Sequence, residues 1–492
     1  MSAKLIYQDV APGAETDAAV SAVGAGSKSN VSLLPGGVVN PDFASLELNK
    51  WGGTGAVKVY NGEDIALVSS AMSGATGSFS SPPTLTITFG QNHTSLGVSF
   101  RFASNSTDYA ASLTISWYQG SMLLDQKTFA PNATTYFCEN TVTAYNKLVI
   151  VINSTNLPYR YARIEQILFG LVREFDGYEI GSVDILQQTN LISAELSINT
   201  LDWSLKSKSS VDFIFQLKQP VLAYNGNNLL GVFYISDKAK RTAEKNYEIP
   251  CTDAVGVLDG DPFPSAIYSN KNAATLMAEI VNGVFDLDVD PSFASATVTG
   301  LIPDGSRRSA FQQVAFAIGA MVDTSGTKKI RVRPAPTSVN AIPESRVYVG
   351  GSVEQDAIVT AVIVTYHTYT AGSGSSGDDV VTVNGVKYVH TTGTVRVDNP
   401  NVTAADKQNV KEVKDATLVS ASNASAVAAR VYAYYQRRNT VNTKFVVVTE
   451  KPGDRVSVPT AWGATMIGNV SSMKIKLSNT TAADAEIKAV EP

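Results

Sequence analysis

The feature that most constrains this chain is a period of two. In Leu85-Thr-Ile-Thr-Phe89, Leu96-Gly-Val-Ser-Phe-Arg-Phe102 and Leu113-Thr-Ile-Ser-Trp117, apolar side chains recur at every second position. Successive side chains on an extended strand point to opposite faces, so this spacing gathers Leu113, Ile115 and Trp117 on one buried face and turns Tyr118 the other way. Lys147-Leu-Val-Ile-Val-Ile152 is continuously apolar after its first residue, the pattern of a strand covered on both faces, and Ile164-Glu-Gln-Ile-Leu-Phe169 closes the series. Turn-rich segments such as QNHTS, YQGS and APNAT separate the runs. Short strands punctuated by turns, with no helix between them, indicate a β-sandwich of jelly-roll type over 41–172. It is preceded by a small, polar arm over 1–40.

Alternation continues over 173–260. Ser193–Leu205 and Ser210–Leu217 read as paired strands, and Tyr224-Asn-Gly-Asn-Asn228 reads as a hairpin turn before Gly231–Ser236. A small barrel fits this region. The period then changes. Asn272–Asn282 reads as a helix opened by an Asn cap and followed by Gly283. In Ser309–Val322, Phe311, Val314, Ala315, Ile318 and Val322 form a helical stripe, but Ala310, Phe316, Ala317, Ala320 and Met321 make most other faces apolar as well. A helix apolar nearly all round belongs between layers. Lys328–Arg333 returns as a strand whose four cations read as an outward face, with an anion site as the alternative. Together these make a small α/β domain over 261–336. From 337 to 492 β structure resumes as a second barrel, with an accessory helix at Asn423–Tyr435 and a glycine-serine loop over 371–379 expected to be flexible. The fold class expected is mainly β with minor α.

Composition narrows the function classes. Only 17% of the 492 residues are charged and the net charge is −5, with no basic stripe of the kind that tracks nucleic acid. No apolar run approaches the roughly 20 residues of a membrane helix, and the opening residues lack a signal-peptide core. Cys138 and Cys251 read as buried, reduced thiols, which suits synthesis in a reducing cytosol.

A search for chemistry finds no catalytic, cofactor-binding or metal constellation. The three histidines, His93, His367 and His390, lack zinc spacing, although His367 and His390 flank the glycine loop and are expected to be neighbours on paired strands. There is no GxSxG elbow, no phosphate-binding P-loop and no GxGxxG. Asp286, Asp288 and Asp290 alternate as a strand's solvent face does, and Pro291 breaks the calcium-loop pattern. Tyrosines are concentrated in the sandwich, and Tyr109, Tyr118, Tyr159 and Tyr161 are candidate contacts for a glycan, whose pyranose faces stack on aromatic rings.

An ordered series of segments resembles the baseplate hub, or tail-tip, family of tailed bacteriophages and phage-derived contractile particles. The series runs SVDILQQTNLISAELSINTLDWSL (182–205), LLGVFYISDKAKRTAEKNYEIPCTDAVGVLD (229–259), helix 272–282, RRSAFQQVAFAIGAMVDTSGTKKIRVRP (307–334), ASAVAARVYAYYQRR (424–438), KPGDRVSV (451–458) and GNVSSMKIKLS (468–478). The resemblance implies hub-type barrels in a homotrimer that caps the tail tube of the virion. It implies tape-measure, baseplate and spike proteins as partners, and no enzymatic activity and no cofactor in this region. Residues 41–172 lie outside the hub pattern and resemble an added galactose-binding jelly-roll, with YRYARIEQILFG (159–170) similar to its last strand. That addition opens the alternative of a receptor-binding protein whose sandwich holds host cell-surface glycan.

Overall fold

The computed structural model describes residues 3–11, 13–26, 67–102, 107–207, 215–403, 407–460, 462–477 and 481–490. It divides into two compact units, Tyr7–Arg173 and a second built from Met1–Ile6 with Glu174–Pro492. Both are mainly β. The helices are α1 (Ala14–Asp17), α2 (Ala254–Asp259), α3 (Ala273–Val281), α4 (Arg307–Ile318) and α5 (Ala424–Tyr435).

In the first unit, five strands lie in the order Gln166–Leu168, Thr84–Arg101, Thr135–Thr155, Ala110–Gln119, Met122–Phe129, and a sixth, Ala18–Val23, pairs with Thr84–Phe89. A three-stranded sheet of Ala25–Gly26, Leu67–Met72 and Tyr161–Ile164 accompanies it. The register sets Leu113 opposite Ile152, Ile115 opposite Ile150 and Trp117 opposite Leu148. The period-two face is the core: Leu85, Ile87, Phe100, Leu113, Ile115, Trp117, Leu148 and Ile150 are all buried in one cluster. Two expectations change here. Val149 and Val151 are only half-buried, so the strand over 147–152 is covered fully on one face. The stretch expected as an arm over 1–40 is ordered where it is described. Ala18–Val23 joins the six-stranded sheet, and Asp17 holds it there by accepting hydrogen bonds from the Gly90 and Gln91 amides (3.0 and 2.9 Å) and facing His93 Nε2 at 2.9 Å. Those bonds, led by the His93 contact, hold the Asp17 carboxyl below its ordinary value. Ala3–Val10 is a strand as well, while residues 27–40, and 41–66 of the expected sandwich, lie outside the described residues.

In the second unit, the regions read as separate barrels share one fourteen-stranded sheet, a half-barrel. Nine of its strands lie in the order Pro220–Asn225, Asn228–Ile235, Asn246–Thr252, Thr200–Lys206, Ile180–Gln188, Thr465–Lys476, Ala482–Ala489, Asn439–Val446, Ser352–Gln355. The seam is the antiparallel pairing of Ile180–Gln188 with Thr465–Lys476, from Asp184 opposite Lys476 to Gln188 opposite Ser472. The hairpin at Asn225–Asn228 forms as expected. The strand read over Ser193–Leu205 begins only at Thr200, and its partners are Ile180–Gln188 and Asn246–Thr252. Most of the partner expected over Ser210–Leu217 lies outside the described residues. Cys138 and Cys251 are both free and buried, and burial pushes the Cys138 thiol up to about 12.

Helix boundaries follow their caps. Asn272 Oδ1 accepts the Thr275 amide at 3.0 Å to open α3, and Asn282 closes it in the left-handed region. Ser306 Oγ accepts the Ser309 amide at 3.1 Å to open α4. The helix stops at Ile318 rather than Val322, because Gly319 adopts φ 75° and the Ala320 amide bonds back to the Ala315 carbonyl at 2.9 Å. Met321–Asp323 then runs as a strand against Ile330–Arg333.

Candidate functional site

The best-built feature of the second unit is the lodging of α4. Phe311, Val314 and Ala315 are fully buried and pack with Leu276, Met277 and Ile280 of α3, while Ile318 is half-buried against the same cluster. Phe316 faces elsewhere, into a second cluster with Val362, Val364 and, from α5, Val427 and Val431. The helix is apolar nearly all round because it serves two cores. Its polar residues tie it to further elements: Gln312 Nε2 donates to the Ser193 carbonyl (2.7 Å), Arg308 Nε to the Leu196 carbonyl (2.9 Å) and Gln313 Nε2 to the Asp415 carbonyl (3.1 Å). From α5, Arg430 Nη2 donates to the Phe316 and Ala317 carbonyls (2.7 and 3.2 Å), at the helix end where the Phe316 carbonyl also accepts the Gly319 amide at 3.2 Å.

A buried polar network joins the same parts. Asn199 Oδ1 accepts the Gln188 amide (2.7 Å), Asn199 Nδ2 donates to Thr324 Oγ1 (2.9 Å), and Thr324 Oγ1 donates to Asp253 Oδ2 (2.7 Å). Asp253 also caps α2 through the Gly256 amide at 3.0 Å. Burial raises the Asp253 carboxyl to about 6 against these hydrogen bonds, which pull the other way. Beside it, Arg331 and Arg333, expected to face outward, instead turn onto the buried carboxylate of Asp323 at 2.6 and 3.0 Å. The reason is register: Asp323 lies opposite Arg331 and Met321 opposite Arg333 in an antiparallel pair, so all four side chains share a face. The turn Lys451–Asp454 closes over this group. The Lys451 amide bonds Asp454 Oδ2 at 2.9 Å, Gly453 N donates to the Val470 carbonyl at 2.7 Å, and burial together with Arg331 holds the Lys451 amine below its ordinary value. Sequence reading missed this network, since its members lie as far apart as Asn199 and Asp454.

The four candidate tyrosines of the first unit do not form one site. Tyr109 is half-buried beside Asn156, whose Oδ1 accepts its amide at 3.0 Å. Tyr161 pairs with Met72, and the Tyr159 amide donates to the Gly74 carbonyl at 3.3 Å, so these three share one end of the sheets. Tyr118 lies nine residues along Ala110–Gln119 from Tyr109, roughly 30 Å away at the rise of a strand, with Lys147 Nζ 4.3 Å from its ring centre. Tyr159 is 41% exposed and holds φ 53°, a left-handed conformation uncommon for a bulky residue.

Asp286, Asp288 and Asp290 do not converge: Leu287–Val289 is a strand beside Ile330–Val332, and Asp290 caps the turn after it by accepting the Ser292 amide at 2.9 Å. Among the described residues no helix is long and apolar enough to cross a membrane.

No protein-family model and no curated protein matches the sequence. Among solved structures, the chain is similar in structure to phage tail proteins. The tail protein from Neisseria meningitidis MC58 aligns over 65% of this chain and 94% of that one, at 11% identity and a TM-score of 0.44. The 43 kDa tail protein of prophage MuSo2 from Shewanella oneidensis aligns over 64% and 95%, at 12% identity and a TM-score of 0.44. The prophage tail protein gp18 from Listeria monocytogenes EGD-e aligns over 64% and 91%, at 10% identity and a TM-score of 0.42.

Proposed function

We propose that the chain is a structural protein of a bacteriophage tail, a hub or tail-tip subunit. Three copies form a ring that caps the tail tube and joins it to the tape-measure, baseplate and spike proteins. The observation that carries this reading is the shared wall of the second unit. Strands from 180–252 and from 439–489 join in one sheet through the Ile180–Gln188 seam, and α4 with the Asp253 and Asp323 networks braces it from 261–336. A chain that spends its buried polar groups on bracing a wall suits a building block, and the ordered segments over 182–478 agree with it. The reading assigns no reaction and no cofactor. Light scattering on the purified chain is expected to give three times the mass of one chain, and electron micrographs are expected to show threefold density at the end of co-expressed tail tubes. A monomer at every concentration, with no attachment to tubes, would end the proposal.

A second role is inferred for the Tyr7–Arg173 unit: contact with host-surface glycan at the end that carries Tyr109, Tyr159 and Tyr161. The exposed ring and positive φ of Tyr159 support it, because backbone strain of about 1–3 kcal/mol persists where function selects it. Tyr118 falls outside this site. Replacement of Tyr159 by alanine is expected to weaken binding of the full chain to host cell-wall polysaccharide about tenfold, with Tyr118→Ala unchanged. Equal binding by both variants and the parent would reduce this end of the unit to scaffold.

A further inference from the structure

The four-stranded sheet of Asp379–Val383, Val386–Asp398, Ala361–Ala371 and Val410–Val413 carries a polar chain that the assembly reading does not use. Asp379 lies opposite His390, and His390 lies opposite Tyr369, so these three and His367 share one face. His390 Nδ1 is 2.7 Å from Asp379 Oδ2, His390 Nε2 is 3.0 Å from His367 Nδ1, and His367 Nε2 is 2.9 Å from the Lys414 carbonyl. The two imidazole planes agree within 11° with centroids 5.2 Å apart, which places them edge to edge about an in-plane hydrogen bond. Tyr369 lies parallel to His390 at 4.8 Å.

Counting protons along the chain identifies its state. The Lys414 carbonyl only accepts, so His367 Nε2 carries hydrogen, and a neutral His367 then accepts at Nδ1. His390 Nε2 must therefore donate. If His390 were neutral as well, its Nδ1 lone pair would face a carboxylate that also only accepts. All three bonds are made only when the chain holds one further proton. That proton is held by the chain from Asp379 to His367 as a whole, whose outer end, the Asp379 side chain, is 67% exposed to water. His367 is buried, and burial first, then the neighbouring His390, lowers its affinity for a proton, which keeps it the neutral member. The remaining charges on this face are Glu412, Lys414 and Asp415 on one side and Arg396 and Asp398 on the other. Glu412 pairs with Lys414 and Arg396 with Asp398. The opposite face, with Val362, Val364 and Tyr366, packs on α5.

We propose that Asp379, His390 and His367 form a proton-dependent latch that fastens the strand Asp379–Val383, and the glycine-serine loop leading into it, to the sheet, and that rising pH opens it. When the chain loses that proton to solvent, one of the three hydrogen bonds is lost whichever nitrogens keep hydrogen, and with hydrogen kept on His390 Nε2 the bond lost is the one to Asp379. The strand has a single partner, Val386–Asp398, so the loss falls on the outermost element of the sheet.

The test is hydrogen exchange by mass spectrometry on the full chain from about pH 5 to about pH 8, with rates divided by the intrinsic exchange rate at each pH. Protection of 379–383 is expected to fall about tenfold as pH rises, the scale of one charge-assisted hydrogen bond, while Thr465–Lys476 is unchanged. Asp379→Asn, at a site mostly in water, is expected to keep the fold by circular dichroism, and because the Asn Nδ2 can donate to the Nδ1 lone pair of a neutral His390, protection of 379–383 is expected to be independent of pH. Protection that is flat with pH in the parent chain, or the same pH dependence in Asp379→Asn, would overturn the latch.

Discussion

Replacement of Phe311 by alanine is expected to destabilise the unit containing Glu174–Pro492 by about 3–5 kcal/mol, the range for truncating a buried aromatic ring in a packed core. Phe311 is fully buried where α4 meets α3, among side chains that are themselves fully buried, so collapse around the cavity is limited. Phe316→Ala is expected to cost about 3 kcal/mol through a different set of neighbours, Val362, Val427 and Val431. The two costs are expected to add within about 0.5 kcal/mol, because the rings share no cluster. Ile318→Ala removes a half-buried side chain and is expected to cost less than about 2 kcal/mol. Urea unfolding read out by tryptophan fluorescence separates these cases, with the midpoint moving in that order and the slope unchanged. If Ile318→Ala cost as much as Phe311→Ala, α4 would not be the double-sided wedge described above. The wedge also bears on assembly. A ring of subunits needs each subunit to hold one shape, and α4 is what ties 190–199, α3 and α5 into a single body.

How much of this was legible depended on the range of the interaction. Local rules worked locally. The parity of Leu113, Ile115 and Trp117 gave the sandwich core, Asn272 marked the start of α3, and the spacing of His367 and His390 about a glycine loop placed them side by side. Failures came where a distant partner decided the outcome. Ile180–Gln188 carries nothing that says its second neighbour lies near residue 470, so the pairing that joins the two barrel regions into one sheet was not legible. Arg331 and Arg333 look like a solvent face until Asp323 is placed opposite them. The start of the chain is small and polar, as arms are, yet a single carboxylate, Asp17, holds it on the sandwich sheet through two amides and His93. The apolar run beyond Ile318 extended the helical stripe on paper. The left-handed Gly319, lying under Arg430, ends it, and a Cβ there would stand 2.4 Å from Arg430 Nε. For the tyrosines, sequence gave exposure parity but not position along a strand, and position is what separates Tyr118 from the other three.

Gly453→Ala is expected to destabilise the same unit by at least about 2 kcal/mol, and the reason can be divided by a double-mutant cycle. Gly453 holds φ 89°, where an L-residue pays roughly 1–2 kcal/mol for the left-handed backbone alone. A Cβ at this position would also stand 2.5 Å from Met321 Sδ and 2.7 Å from its methyl carbon. Met321 is fully buried at the start of the strand that presents Asp323 to Arg331 and Arg333, so it has little room to retreat, although a thioether adapts better than a branched side chain. Met321→Ala alone leaves a cavity and is expected to cost about 2–5 kcal/mol. In the double variant the new methyl group occupies part of that cavity. The combined cost is therefore expected to fall short of the sum by about 1 kcal/mol or more, leaving the backbone part of the Gly453 penalty in place. Simple additivity in urea unfolding would mean that the Lys451–Asp454 turn does not bear on Met321. Coupling would identify the turn as the clasp through which the far end of the sheet grips the α/β region, since Thr189 closes the other side by donating to the Val322 carbonyl at 3.0 Å.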